Sequence, residues 1–297
     1  MINTLYDKFR RAVIYNLSPI FPVFCSRIMY FHRFHRPIHL RNPETLNEKI
    51  MWLKLNDYRK NALVTCCADK YTVRKYVEQH GCGDILNELL FVWDNPNEID
   101  WDSLPDSFVL KCNHGCGYNL ICSKKSLVSK DECITKLRKW YATEYWRMYA
   151  ELQYKDIRKK IICEKYIGEG NHLPIDYKVY CFNGEPLYIL VCENRESGKP
   201  KFYFFDTDWK FCPITQDGLE APADFTVEKP RHLRQMLDCA KKLSNPFPYV
   251  RVDFYETDKS LVFGELTFTP SAALDTGRLP ETDLMFGELL KLRKDNY

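Results

Sequence analysis

The chain has 297 residues, 45% apolar and 28% charged, enough for one large domain or two to three subdomains around a substantial core. A net charge of +3, with no nucleic-acid-binding motif, argues against DNA or RNA as a partner. Thirteen cysteines, odd in number, scattered and without a CxxC pair, read as reduced cytosolic thiols rather than a disulfide framework or a structural zinc site.

The first 45 residues carry seven Lys/Arg against Asp7 and Glu44, a surplus of five positive charges. The uncharged window Ala12–Ser26 contains Pro19 and Pro22 and is too short to span a bilayer; it also lacks a small-x-small cleavage pattern. A cytoplasmic location is expected. The basic, aromatic-rich N-terminus either packs against the body of the protein or makes peripheral contact with an anionic membrane surface.

A helix is predicted over Leu46–Asn56, introduced by Asn42-Pro43 and Thr45. Asp69-Lys70 opens a second helix through Gln79, ended by Gly81. Strands are predicted at Leu89–Trp93, Ser107–Lys111 and Tyr118–Cys122, the last two joined by the Gly-containing loop Cys112–Gly117. A long helix follows, from about Lys130 to Leu152, then a strand at Lys160–Ile167. Asp176–Phe182 and Pro186–Cys192 form a hairpin around Asn183-Gly184, a strong two-residue turn signal. Lys201–Phe205 and Lys210–Cys212 are short strands, and helices are expected at Arg231–Leu243 and Thr282–Arg293. The fold class is α+β with mainly antiparallel pairing. Neither GxGxxG nor GxxxxGK[ST] occurs, so a Rossmann dinucleotide site and a P-loop are both unsupported.

The most informative stretch is Arg251-Val252-Asp253-Phe254-Tyr255 followed by Val262-Phe263-Gly264-Glu265-Leu266-Thr267. Alternation puts Arg251 and Asp253 on one face of the first strand, and Phe263, Glu265 and Thr267 on one face of the second. A hairpin brings Asp253 and Glu265 onto neighbouring strands facing the same way. Two carboxylates beside a cation on an apolar sheet are costly unless something binds there, and Mg2+ characteristically takes only one or two protein carboxylates. The alternative is a solvent-facing strand with a surface ion pair. Elsewhere, Lys111 ends an apolar run at a sheet edge, and Gly115 and Gly117 after it let backbone N–H groups approach a phosphate. Glu164-Lys165-Tyr166-Ile167 closes a strand able to offer an adenine edge its backbone, with Glu164 accepting from the exocyclic amine. Asp176 can reach ribose hydroxyls, and Lys70 is a second cation. Asp206-Thr207-Asp208 after a strand is either a turn or a metal–nucleotide-sugar site of a glycosyltransferase.

In order, these features resemble the ATP-grasp superfamily, whose ligases include D-alanine–D-alanine ligase. Asn47-Glu48-Lys49-Ile50-Met51-Trp52, Ala68-Asp69-Lys70, Lys111-Cys112-Asn113-His114-Gly115 and Asp176-Tyr177-Lys178 are similar to its TupA-like branch, named for a teichuronopeptide biosynthesis protein and associated with surface-polysaccharide gene sets. The resemblance implies two α+β subdomains clasping ATP behind a short, mainly helical basic segment: 1–68 for that segment, 69–163 for the small subdomain and 164–297 for the large one. It implies that Lys70 and Lys111 hold ATP phosphates under a loop including Asn113, His114, Gly115 and Gly117. Glu164 and the backbone of Lys165, Tyr166 and Ile167 would hold adenine. Asp176 would hold ribose, with Glu169 as the less favoured alternative. Asp253 and Glu265 would hold Mg2+, with Thr267 where the superfamily usually has Asn, and Arg251 would stabilise the transferring phosphoryl group. The implied reaction is ATP-dependent joining of a carboxylate to an amine through an acylphosphate, on a small-molecule or glycan-linked substrate. Phosphate transfer to a hydroxyl is the kinase alternative.

Overall fold

Two N-terminal helices, α1 (Ile2–Leu17) and α2 (Pro22–Phe34), meet at a corner. Pro22 stands in the first turn of α2, where its missing N–H costs nothing. This is a computed structural model; it describes residues 2–170, 172–193 and 198–292. Met1 and residues 293–297, parts of the expected 1–68 and 164–297 units, and Arg293 of the expected last helix lie outside the described residues.

Helix α3 (Leu46–Leu55) starts where expected because Thr45 and Glu48 form a reciprocal capping box. Helix α4 (Ala62–Ala68), capped by Asn61, was not foreseen. Helix α5 (Val73–Gln79) begins three residues after Lys70. The delay has a local cause: the Asp69 carboxylate accepts from the Tyr71 amide (2.8 Å) and from the Asn113 side chain (2.8 Å), holding 69–72 in a turn.

A four-stranded sheet follows, ordered β1-β4-β2-β3, from β1 (Leu89–Trp93), β2 (Phe108–Cys112), β3 (Asn119–Cys122) and β4 (Ile161–Lys165). The expected subdomain boundary between 163 and 164 falls inside β4. The single long helix expected over Lys130–Leu152 is instead broken into α6 (Lys130–Ala142) and α7 (Trp146–Tyr149). Thr143 is extended and Ala150 left-handed (φ 53°), and between them the chain turns Tyr145 and Trp146 into the interior. Burying these two rings outweighs the intrinsic preference for helix.

The second sheet has six strands, ordered β10-β9-β5-β6-β7-β8. These are β5 (Ile175–Phe182), β6 (Glu185–Glu193), β7 (Lys201–Asp206), β8 (Phe211–Cys212), β9 (Tyr249–Glu256) and β10 (Leu261–Thr267). Every described pairing in both sheets is antiparallel. Asn183 (φ 53°) and Gly184 (φ 86°) make the β5–β6 turn with the two positive φ angles that an Asn-Gly hairpin favours. After the short α8 (Gln216–Leu219), α9 (Leu233–Ser244) packs Met236, Ala240 and Leu243 onto this sheet. Helix α10 (Pro280–Leu289) lies against α3. One core joins the large sheet to α3, α4, α5 and α9; a second lies between the small sheet and α6.

The hairpin β9–β10 departs from simple alternation. Register slips between Phe263 and Glu265, so that Phe263 pairs with Phe254 while Glu265 pairs with Asp253. This is a bulge at Gly264, whose Cβ, if present, would lie 2.9 Å from the Asp253 carbonyl oxygen. The extra residue corrects one expectation: Phe263 faces the core with Phe254, on the side away from Glu265 and Thr267.

Candidate functional site

Strand β5 lies between β9 and β6, and its register sets Lys178 opposite Asp253 and Tyr180 opposite Arg251. Lys178 is therefore the centre of a charged row on the sheet. Its Nζ is 2.7 Å from Asp176 Oδ2 and 3.1 Å from Asp253 Oδ2. Arg251 grips Asp253 with two bonds, Nε to Oδ1 at 2.7 Å and Nη2 to Oδ2 at 2.6 Å, the fork-on-carboxylate arrangement specific to guanidinium. Arg251 also donates to the Thr267 hydroxyl (3.4 Å), which donates to Glu265 (3.3 Å). Lys70 closes the row from outside the sheet, its Nζ 3.0 Å from Glu265 Oε2 and 2.8 Å from the Gly115 carbonyl.

Lys70 thus ties the Gly-containing loop to the carboxylate hairpin. Burial alone would raise the Glu265 carboxyl, but Lys70, then Arg251 and Lys178, hold it down at about 2. Burial lowers the Lys178 amine, yet Asp253 and Asp176 outweigh it and the net direction is upward. Lys70, Lys178, Arg251 and Glu265 are all shifted toward their charged forms, and such buried charges are tolerated because each has an opposite partner.

A second network sits on the small sheet. Lys111 Nζ lies 2.6 Å from Glu164 Oε2, and Arg74 approaches the other oxygen at 3.3 Å while donating to the Asn87 carbonyl at 2.7 Å. β2 and β4 are neighbours, with Val109 opposite Glu164. A cleft of about 90 Å3 opens beside this pair, between the sheets; Val109, Lys165, Tyr166 and Ile167 line it from one sheet and its following loop, Tyr255 and Phe263 from the other.

Lys70, Asp253 and Glu265 thus belong to the charged row on the large sheet, whereas Lys111 and Glu164 form a separate pair on the small sheet, and the cleft beside that pair reaches β9 and β10 at Tyr255 and Val262. Other candidates are spent differently. Asn113 is fully buried; it bonds Asp69 (2.8 Å), the Arg158 carbonyl (2.9 Å) and the Lys160 amide (2.7 Å), so its side chain holds the loop in place. His114 is buried beside Tyr118 and Tyr141, and burial, with Lys159, pushes its pKa down to about 4. Gly115 is needed for close approach, since a Cβ there would stand 2.6 Å from the Tyr145 ring. Gly117 has φ 75° and open space around it. Asp176 is buried against Lys178 and is not part of the cleft lined by Lys165–Ile167. Glu169 pairs with His172 in a tight turn beside a separate cleft. Asp206 accepts from the amides of Asp208 (3.0 Å) and Lys210 (2.8 Å), which makes Asp206-Thr207-Asp208 a capped turn at the other edge of the large sheet.

Lys178 and Arg74 carry no role in the sequence reading. Lys178 was accessible: it stands two residues after Asp176 in a predicted strand, so both share a face. Arg74 was not, because its contact with Glu164 spans 90 residues and depends on how α5 meets the small sheet.

The donor set suits Mg2+ rather than a soft metal. Asp253 and Glu265 stand opposite one another on β9 and β10 and Thr267 donates to Glu265, and among the described residues no group of three or more His, Cys, Asp or Glu side chains is placed to hold a metal ion.

Residues 48–291 match the family described as TupA-like ATPgrasp. No curated protein matches the chain. Among solved structures, D-alanine–D-alanine ligase from Bacillus anthracis, complexed with ATP, is 16% identical with a TM-score of 0.43, over 75% of this chain and 60% of that one. The enzyme of the same name from Helicobacter pylori is 16% identical with a TM-score of 0.43, over 84% of this chain and 70% of that one. N5-carboxyaminoimidazole synthase from Aspergillus clavatus, in complex with ADP, is 14% identical with a TM-score of 0.41, over 69% and 45%. This chain spans about 60% of the length of the Bacillus anthracis ligase.

Proposed function

The chain belongs to the TupA-like ATP-grasp family, and from that premise we propose that it is an ATP- and Mg2+-dependent carboxylate–amine ligase working through an acylphosphate. The observation that carries the reading is the Lys70 bridge, which joins the Gly115 carbonyl to Glu265 and so sets the loop over the carboxylate hairpin. Adenine would enter the cleft beside Lys165–Ile167, between Val109 and Val262, and meet backbone groups where β4 ends. Its phosphates would then run toward Lys111, Lys70 and Lys178.

Phosphoryl transfer needs in-line positioning and charge neutralisation rather than covalent help from the protein. A bound Mg2+ on Asp253, Glu265 and Thr267 would supply charge neutralisation at the phosphate oxygens. The lysines and Arg251 do the rest. In the structure they are held by carboxylates at the positions from which they would turn to phosphate. Arg251, which with Thr267 lines a cavity of about 860 Å3, is the cation that would steady the attacking substrate carboxylate and the later tetrahedral intermediate. The loop 113–118 would shield the acylphosphate from water.

The acceptor reading is an amino acid or peptide joined to a sugar of a surface polysaccharide; its support is the family's association with such synthesis. Peripheral membrane contact by the N-terminal helices is supported by Phe9, Ile20, Phe21, Phe24 and Phe31, all more than half exposed, beside Arg27. Co-sedimentation with anionic vesicles tests that point, and equal pelleting with neutral vesicles removes it.

The deciding experiment measures ADP release with hydroxylamine present. Hydroxamate formation that needs ATP and a carboxylate supports the ligase. ADP release with a phosphorylated hydroxyl and no hydroxamate identifies a kinase. ATP binding that is indifferent to both Lys70→Ala and Lys111→Ala overturns the nucleotide placement.

A further inference from the structure

The cavity of about 860 Å3 beside Arg251, Glu265 and Thr267 is lined in part by α1 and α2, which precede the family-matched span. It is large enough for a molecule of disaccharide size. Several observations mark it as a built cavity. Ile14, Cys25 and Met29 pack with Ala150 as a small core, and the Ser18 hydroxyl donates to the Arg147 carbonyl at 3.0 Å, fixing the helices to α7. Arg33 donates to the Leu274 carbonyl (3.3 Å) and the Thr276 hydroxyl (2.6 Å), tying α2 to the segment after β10.

That segment is strained. Ser271, Ala272 and Ala273 are consecutive non-glycine residues with φ between 50° and 63°. Left-handed backbone is unfavourable for residues with a Cβ, so the turn persists only where its surroundings impose it. The fully buried Lys54 amine helps impose it, donating to the Ala272 carbonyl (3.4 Å) and to the Tyr149 carbonyl (2.9 Å).

The charges of this wall are one-sided. Arg10, Arg11 and Arg33 line the cavity, with His32 beside them. The opposing carboxylate on these helices is Asp7, 3.0 Å from Arg10 and 3.8 Å from His32. Arg10 still has a buried Nε without a hydrogen-bond partner among the described residues, and Arg11 makes no hydrogen bond or ion pair among them. The other acids lining the cavity lie far from these arginines in the chain: Glu265 is held by Lys70, and Glu151 accepts from the Thr269 hydroxyl at 2.5 Å on one oxygen while its other oxygen is buried without a hydrogen-bond partner among the described residues, and burial raises its pKa toward the neutral form. Tyr15, Tyr149 and Met29 add apolar faces for an uncharged body.

Resting on the ligase reading for the Arg251 end, we infer that α1 and α2 form the recognition wall for a substrate bearing a second oxyanion, phosphate or carboxylate, remote from the group that reacts. Guanidinium groups suit this task because each presents a planar fork of donors to an oxyanion. The reacting end would lie at Arg251, the remote anion at Arg10, Arg11 and Arg33.

The test is calorimetric titration of the full chain, preloaded with ADP and Mg2+, with three probes: glucose 1-phosphate, glucuronate and glucose. The expected result is that at least one anionic probe binds about tenfold or more tightly than glucose. Which one does so separates phosphate from carboxylate. The Arg11→Ala/Arg33→Gln double variant should abolish the preference, and Gln at 33 retains a donor toward Leu274 so that the wall still folds; thermal unfolding checks this. Equal binding of all three probes, no heat from either anion at millimolar concentration, or a preference that survives in the double variant overturns the inference. Failure of ADP with Mg2+ to bind the wild-type chain overturns the ligase reading instead, and is scored first.

Discussion

Acidification is expected to weaken the protein through a single buried imidazole. His114 is 2% exposed, its ring 5.8 Å from that of Tyr118 and 6.3 Å from that of Tyr141. Burial, reinforced by Lys159, lowers its pKa from 6.5 to about 4. The folded pKa lies below the unfolded one, so as pH falls the unfolded chain takes up the proton first. Stability from this group is therefore constant above about pH 6.5, falls between about 6.5 and 4, and levels off below. The full loss is about 3 kcal/mol, of which about 2 kcal/mol is realised by about pH 5. Urea unfolding at about pH 7.5, 6 and 5, on the wild type and His114→Asn, measures it. Other histidines and carboxylates titrate alike in both proteins, so the difference between the two curves isolates this residue. The gap should shift by about 2 kcal/mol in favour of the variant between neutral pH and about pH 5. Parallel curves would refute the claim that His114 is held neutral.

Three further outcomes are expected. Lys178→Met leaves Asp176 and Asp253 facing one another without their shared cation, and should lower unfolding free energy at neutral pH by about 3 kcal/mol, read by urea melts; an unchanged midpoint would show that the carboxylates are solvated. Gly287→Ala drives a Cβ into the Glu44 carbonyl oxygen where α10 crosses the start of α3, and should cost about 2 kcal/mol or more in the same assay, with no gain from the better helix former. Gly115→Ala presses on the Tyr145 ring and displaces the loop, so ADP affinity measured by calorimetry should drop about tenfold while the secondary structure stays intact; unchanged affinity would place the phosphates elsewhere.

Local signals in the sequence were read well where the chain itself decides the geometry. Leu89–Trp93 is a strand over the expected span, Thr45 caps α3, and Asn183-Gly184 turns β5 into β6. Reading failed where distant packing overrules propensity. The helix expected to reach Leu152 stops at Ala142 because Tyr145 and Trp146 are worth more inside the core than on a continuous helix surface. The bulge at Gly264 was invisible as well: a strand with a glycine reads the same with or without an inserted residue, and only the register of β9 against β10 reveals that Phe263 and Glu265 face opposite ways.

The charged row explains why the site was half legible. Each acid or cation is visible as an oddity in an apolar strand, but its partner is decided by strand order. Lys178 meets Asp253 across 75 residues because β5 inserts between β9 and β6, an arrangement that no spacing rule in the sequence specifies. Lys70 reaches Glu265 from a turn that the sequence alone presents as the start of a helix. In the folded chain, every carboxylate in the row is matched by a cation within about one hydrogen-bond length. Removal of Lys178 or Lys70 therefore leaves Asp176 or Glu265 without its ion-pair partner, so loss of either cation should destabilise the fold and loss of nucleotide affinity should accompany it. Measuring both quantities on each variant separates a residue that binds phosphate from one that only balances charge: the first shifts the affinity for ADP without Mg2+ in a double variant that restores neutrality, such as Lys70→Met/Glu265→Gln, whereas the second does not.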